Sequence, residues 1–174
     1  MKNLKYILRL TLTLLLITAV VAGLLGFVNY LTEEKIKVGQ EEKAKNAMQE
    51  VLPADSYEPI DAAAEGINAA YRADDKGYVV DLTVNGFGGA INMMVGVAPD
   101  GTVTGVSIVS HSETASLGAN CTREDFRSQF TGTQGELAVE KDGGTVEALT
   151  GATVTSRAVT AGVNLAVEFV KGVQ

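Results

Sequence analysis

The chain has one cysteine and one histidine in 174 residues. Cys121 therefore has no partner for an internal disulfide. The missing His/Cys cluster argues against a zinc or iron–sulfur site built from this chain. Cys121 reads as a small packing residue rather than a reactive thiol. His111, with no second imidazole for a relay, reads as a surface or hydrogen-bonded residue rather than a catalyst. No Ser/His/Asp set, Walker-type loop or Rossmann fingerprint is present, which sets aside the hydrolase and transferase chemistries those motifs carry. Positive charge is also scarce: 14 Lys and Arg stand against 21 Asp and Glu. Lys2, Lys5 and Arg9 lie at the N-terminal edge, so the remainder is more acidic than the formal net charge of −7. Such a surface repels nucleic acid and anionic headgroups, and no nucleic-acid partner is expected.

What the chain does have is one long apolar run. Leu10 to Val28 carries no charged residue. As a helix at about 1.5 Å per residue it reaches roughly 28 Å, close to the roughly 30 Å hydrocarbon core of a bilayer. Val20-Val21-Ala22-Gly23 loosely matches a signal-peptidase site, but the run is longer than a typical signal-peptide core, which favours an uncleaved anchor. Lys2, Lys5 and Arg9 precede it, and Glu33 and Glu34 follow. The positive-inside rule then places residues 1–9 in the cytoplasm, 10–28 among membrane lipid, and everything after Tyr30 outside. Residues 29–54 read as a juxtamembrane helix and linker, with Ala44, Ala47, Met48, Val51 and Leu52 forming an apolar stripe that Pro53 ends. The narrow stripe favours packing on the chain's own domain over an interface with neighbouring subunits.

Residues 55–174 read as one extracytoplasmic α+β domain. Asp55 to Glu65, acidic and Ala-rich, is expected to be an irregular connection. Strand signals follow at 69–73, 78–84, 90–97 and 102–110. Polar turns at Asp74-Asp75-Lys76-Gly77 and Ala98-Pro99-Asp100-Gly101 separate the members of each pair. The pattern predicts an antiparallel sheet with helices packed on one face. Glu124 to Phe130 suggests one or two helical turns, with Phe126 and Phe130 facing the core, and Leu137 to Val139 a short strand. Asn85-Gly86-Phe87-Gly88-Gly89 is either a flexible turn, which local composition favours, or a wall of a ligand site.

From Ser156 to Val170, apolar residues recur at helical spacing. Before them stands Glu147-Ala148-Leu149-Thr150-Gly151-Ala152-Thr153-Val154-Thr155-Ser156, a hydroxyl-rich turn running into the helix. Thr153, Thr155 and Ser156 sit where an N-cap belongs, and capping is the general reading. A helix start also suits a phosphate, through its unpaired N–H groups and partial positive charge. Arg157, four residues after Thr153, would add a positive charge on the same side.

The wording of this turn resembles the flavinylation motif Asp-x-x-Ser/Thr-Gly-Ala-Thr of the FMN-binding domain family. That family includes the G subunit of Rnf-type electron-transport complexes and the C subunit of the Na⁺-translocating NADH:quinone reductase. The stretch His111-Ser112-Glu113-Thr114-Ala115-Ser116-Leu117-Gly118 resembles the same family's His-x-Glu-Thr-Pro-Gly-Leu-Gly loop. Two departures stand out: Glu147 in place of Asp, and Ala115-Ser116 in place of Pro-Gly. The resemblance spans about residues 31–173 and implies a covalent FMN, joined through its phosphate to Thr153 by a separate flavin transferase. Thr150, Gly151 and Ala152 would complete the motif, and Glu113, Thr114, Leu117 and Gly118 would flank the flavin. A Gly-Phe/Tyr-Gly-Gly run also precedes a strand at this place in the family. The implied function is electron relay by a single-span subunit of a bacterial inner-membrane complex that translocates Na⁺ or H⁺, with the other subunits as partners and no independent catalytic activity. The cofactor would supply the redox chemistry and the protein its binding and electrostatics; acidic surroundings would disfavour an anionic reduced flavin. A stand-alone anchored flavoprotein, a component like the quinone reductase's C subunit and a non-redox assembly module are the alternatives.

Overall fold

The computed structural model describes residues 2–62 and 64–173. Met1, Ala63, Gln174 and the side chains of Lys2, Asn3 and Glu34 lie outside the described residues, so the flanking-charge argument for Lys2 and Glu34 is one of sequence alone. The chain divides after Glu42 into two compact units.

Helix α1 runs Lys2–Val51. Within it, Leu4–Glu33 is the one segment, among the described residues, long and apolar enough to cross a membrane. Its leucines and valines stand exposed, Leu14 and Leu25 by 64% and 66%, as side chains that meet lipid rather than protein would. The hydroxyls of Thr11, Thr13 and Thr18 donate to the carbonyls of Ile7, Arg9 and Leu14 at 3.0, 2.8 and 3.0 Å. Each of these hydroxyls in the apolar stretch is thereby satisfied by its own helix.

In the second unit, the last turns of α1, with Leu52 just after them, bury Ala47, Val51 and Leu52 against Ala73, Val79 and Met94 of the sheet. Pro53 cannot continue the helix. The Val51 carbonyl left over at the helix end accepts the Thr104 hydroxyl at 2.6 Å.

The sheet has five strands: β1 Tyr57–Ile60, β2 Ile67–Ala73, β3 Gly77–Asn85, β4 Ala90–Val97 and β5 Val103–His111. They form an antiparallel meander in chain order. Strand β1 corrects the expectation of an irregular connection at 55–65. Its pattern is weak because it is an edge strand, half-buried at its two ends and exposed between them. It pairs only with β2, a position that tolerates Pro59. The Asp74 carboxylate tethers the chain leading into it, accepting the N–H groups of Asp55 and Ser56 at 2.8 and 3.2 Å.

Helices cover both faces of the sheet, not one as expected. Helix α3 (Thr153–Val173) and the short α2 (Glu124–Arg127) cover one face, over Val80, Leu82, Ile91, Met93 and Val95. The end of α1 covers the other, over Val79 and Met94. Neighbouring residues Val79 and Val80, and Met93 and Met94, are all buried. Since successive side chains point to opposite faces of a strand, β3 and β4 need cover on both sides. Phe126 and Phe130 meet edge to face at 5.5 Å within the first layer, worth about 0.5–1.5 kcal/mol beyond their burial. The strand expected at 137–139 is reduced to a single parallel bridge between Val139 and Val146.

Candidate functional site

Four segments converge at the N-terminal end of α3: the β3–β4 loop, the loop after β5, the 3₁₀ turn Glu140–Asp142, and the turn that opens the helix. They enclose a cavity of about 330 Å³, within the range of small-molecule sites.

The helix-opening turn is built by its own residues. The Ala152 N–H donates to the Leu149 carbonyl at 2.9 Å, and Gly151 between them has φ +76°, as the third position of such a turn requires. Ser156 closes the turn from inside the helix. Its Oγ accepts the Leu149 N–H and donates to the Ala152 carbonyl, both at 3.0 Å. The Ser156 N–H also reaches the Ala152 carbonyl, at 3.0 Å, so Ala152 is the capping residue and α3 begins at Thr153. The expectation of a hydroxyl N-cap is thus corrected. The three hydroxyls lie inside the first turn and diverge: Ser156 to the turn, Thr155 to Glu113, and Thr153 toward Lys141.

Glu113 ties the loops together. It is 9% exposed; Oε1 accepts the Gly88 N–H at 3.1 Å and Oε2 accepts the Thr155 hydroxyl at 3.0 Å. Its own N–H donates to His111 Nδ1 at 3.2 Å, which gives the single histidine a loop-positioning contact. A Cβ on Gly118 would lie 2.1 Å from Glu113 Oε2, so any larger residue there would have to displace the Glu113 carboxylate. Burial, followed by the negative charge of Glu113, pushes the Cys121 thiol up to about 11, in keeping with a packing residue.

The loop after β5 keeps a tight turn despite lacking Pro-Gly. The Leu117 N–H donates to the Thr114 carbonyl at 3.2 Å. Ser116, at the third position, has φ +64°, a left-handed conformation that glycine adopts without steric cost. Asn120 Nδ2 supports it from below, donating to the Ser116 carbonyl at 3.1 Å.

Of the residues singled out by sequence, Glu113, Thr114, Leu117 and Gly118 line this cavity. Gly151, Ala152 and Thr153 line it as well. Thr150 instead borders an adjoining, more polar cavity of about 510 Å³, together with Glu147 and Leu117. Arg157 borders neither. Its Nε and Nη2 donate to the Asp142 carboxylate at 2.7 and 2.6 Å, an ion pair that draws it away from the position expected beside Thr153. The cation at Thr153 is Lys141, whose Nζ donates to Thr153 Oγ1 at 3.0 Å. Lys141 carries no motif signature, so nothing in the sequence pattern points to it. Phe87, from the Gly-rich loop, also lines the cavity.

The arrangement suits a flat, amphipathic phosphate ester. Phe87, Leu117 and Val154 offer apolar surface exposed by 75%, 44% and 48%. A helix start, a hydroxyl and an ammonium meet at the other end. The fold and the site therefore define an α+β domain with a cavity at the start of its long helix, preceded in the chain by an apolar N-terminal helix. A family model described as the FMN-binding domain matches residues 86–168, and one described as the RnfG N-terminal region matches residues 1–51. The G subunit of an ion-translocating oxidoreductase complex of Methanosarcina acetivorans is 34% identical, over 98% of this chain and 97% of its own. The G subunit of the proton-translocating ferredoxin:NAD(+) oxidoreductase complex of Clostridium ljungdahlii is 37% identical, over 90% of this chain and 88% of its own. The chain belongs to the G-subunit family of ion-translocating oxidoreductase complexes. The crystal structure of the C subunit of the Na(+)-translocating NADH-quinone reductase from Parabacteroides distasonis shares the fold, with a TM-score of 0.52 at 20% identity over 74% of this chain and 80% of that one. With its spanning-length helix, the chain is membrane-anchored.

Proposed function

We propose that this chain is the electron-relaying subunit of an ion-translocating redox complex of the Rnf type, and that it holds its FMN through a phosphoester at Thr153 Oγ1. The observation that carries the attachment is the position of that hydroxyl. Thr153 is the first residue of α3, lines the cavity, and has an ammonium 3.0 Å from its oxygen. The FMN supplies one- and two-electron chemistry when bound. The protein's part is to orient and enclose it. Phe87, Leu117 and Val154 provide apolar contact for the ring system, and Glu113 locks the two loops that carry Phe87 and Leu117. Thr150, Gly151 and Ala152 set the turn that presents Thr153. A flavin transferase makes the bond, membrane lipid surrounds residues 10–28, and the remaining subunits exchange electrons with the flavin. Lys5 and Arg9 before the apolar segment, with Lys2 in the sequence, support a cytoplasmic N-terminus and an extracytoplasmic domain over residues 55–174.

The test is co-expression with a flavin transferase, followed by intact-mass measurement and peptide mapping. The expected result is an FMN-phosphate adduct on the peptide holding Thr153, lost in Thr153→Val with the fold retained. A bare Thr153 peptide, from cells in which the transferase labels a known substrate, would refute the attachment.

A further inference from the structure

The 3₁₀ turn Glu140–Asp142 carries three charged side chains, and two of them, Lys141 and Asp142, find different partners at the start of α3. Asp142 takes Arg157 in a two-point ion pair, with nitrogens at 2.7 and 2.6 Å. Hydrogen bonding to Arg157, then its charge, holds the Asp142 carboxyl below its ordinary range. The pair fastens the turn to the second turn of the helix and cancels its own charge. Lys141 is left with a neutral partner, the Thr153 hydroxyl at 3.0 Å. Among the described residues it forms no ion pair. Glu113, the one carboxylate among the described residues that lines the cavity, has both oxygens engaged by Gly88 and Thr155.

At the hydroxyl itself one positive charge stands without an ionic partner among the described residues. Arg157 and Asp142 sum to zero; Glu140 is exposed, does not line the cavity and forms no ion pair among the described residues; Lys141 places its positive charge directly beside the hydroxyl. A phosphodiester at that hydroxyl carries one negative charge. The first helical N–H to find an acceptor in this turn is that of Ser156, so the amide groups of Thr153, Val154 and Thr155 face the same end without helical partners. An ammonium that donates to Oγ1 cannot also take that hydroxyl's proton, so Lys141 is not the base of the attachment reaction. Its chemistry is that of a phosphate partner.

We propose that Lys141 is the phosphate-binding residue of the flavin site: its ammonium orients the Thr153 hydroxyl before attachment and pairs with the phosphodiester afterwards, while the Asp142–Arg157 pair holds the turn that presents it. The inference rests on the attachment at Thr153 proposed above. In that reaction the Oγ1–P bond forms with an activated flavin nucleotide carried by the transferase. That nucleotide is a pyrophosphate joining the flavin to a nucleoside: its P–O–P bond breaks, the nucleoside monophosphate departs with the electrons of that bond, and the hydroxyl proton passes to a base of the transferase. Lys141 stabilises the phosphoryl charge as the bond is made.

The test uses the full chain in detergent, with flavin transferase and flavin nucleotide, and follows covalent fluorescence on denaturing gels. Four proteins are compared: the unaltered chain, Lys141→Gln, Lys141→Arg, and Lys171→Gln, which removes the same charge at the far end of α3. The expected result is an initial labelling rate roughly tenfold lower, or less, in Lys141→Gln, the size of one charge-assisted hydrogen bond. Lys141→Arg and Lys171→Gln keep the rate within about twofold. Unlabelled Lys141→Gln melts at the same temperature as the unaltered protein. Once labelled to completion, it gains less thermal stability from the flavin. Equal rates and equal thermal gains in Lys141→Gln and the unaltered protein would overturn the proposal, as would the same loss in Lys171→Gln. An unaltered chain that stays unlabelled, while a known substrate is labelled, would instead overturn the attachment and this inference with it.

Discussion

The Thr155 hydroxyl donates to Glu113 Oε2 at 3.0 Å, joining the first turn of α3 to the loop after β5. Thr155 is fully buried and Glu113 nearly so. Removing the hydroxyl while keeping the shape, in Thr155→Val, leaves a buried carboxylate oxygen without its donor. The expected cost is about 1–3 kcal/mol, read as a lower denaturation midpoint at unchanged slope. Gly118→Ala attacks the same contact from the other side, since its Cβ would lie 2.1 Å from Oε2 and 2.9 Å from Thr155 Oγ1. Its loss of stability should not add to that of Thr155→Val, because both act on one contact. An additive double variant would contradict this.

Ser116 gives a prediction of opposite sign. It holds φ +64° in the Thr114–Leu117 turn, which for a residue with a Cβ costs about 1–2 kcal/mol. Ser116→Gly relieves that strain and frees the unfolded chain by a smaller amount. A net gain of about 0.5–1 kcal/mol is expected. A loss on thermal or urea unfolding would mean that the turn depends on the serine itself.

Phe87 separates cofactor contact from folding. Its ring is 75% exposed, so Phe87→Ala should leave unfolding stability within about 0.5 kcal/mol. In the flavin-loaded protein the same change removes one apolar wall. Iodide should then quench the flavin fluorescence more steeply than in the unaltered protein. Unchanged quenching would place the ring away from the flavin.

Glu50, near the end of α1, accepts the Ser107 hydroxyl and Arg127 Nη1, each at 2.6 Å. Burial raises the Glu50 carboxyl, but those two hydrogen bonds and the Arg127 charge outweigh it and hold it below its ordinary value. A carboxyl lowered on folding contributes stability that is present above its unfolded pKa, ordinarily 4.5. That stability is lost as pH falls through the folded value. Glu50→Gln should therefore be less stable than the unaltered protein at neutral pH. The gap should close below the ordinary carboxylate range, in urea titrations run at several pH values. A gap that widens on acidification would reverse the sign assigned here.

Much of the domain was legible because its signals are local. Strands β2 to β5 alternate around turns whose residues have their own conformational reasons, and the valines of α3 recur at helical spacing. Strand β1 was not legible: Tyr57–Ile60 is short and interrupted by Pro59, and becomes a strand only because β2 offers it an edge. The two-sided covering of the sheet was likewise hidden. Val79-Val80 and Met93-Met94 signal burial on both faces, but not which element supplies the second cover.

The site divides along the same line. Order and wording along the chain determined that a hydroxyl-rich turn opens a helix, that an acidic loop follows a strand, and that an apolar segment of membrane length stands in front. These follow from backbone preferences and side-chain periodicity, which act within a few residues. Which cation meets Thr153 was decided only by tertiary structure. Arg157 has the right spacing on the helix, yet Asp142, 15 residues earlier, claims it. Lys141, 12 residues before Thr153 and in no strand of the sheet, takes the hydroxyl instead. Ion pairing depends on distance in space, and sequence spacing sets that distance only within one helix or strand.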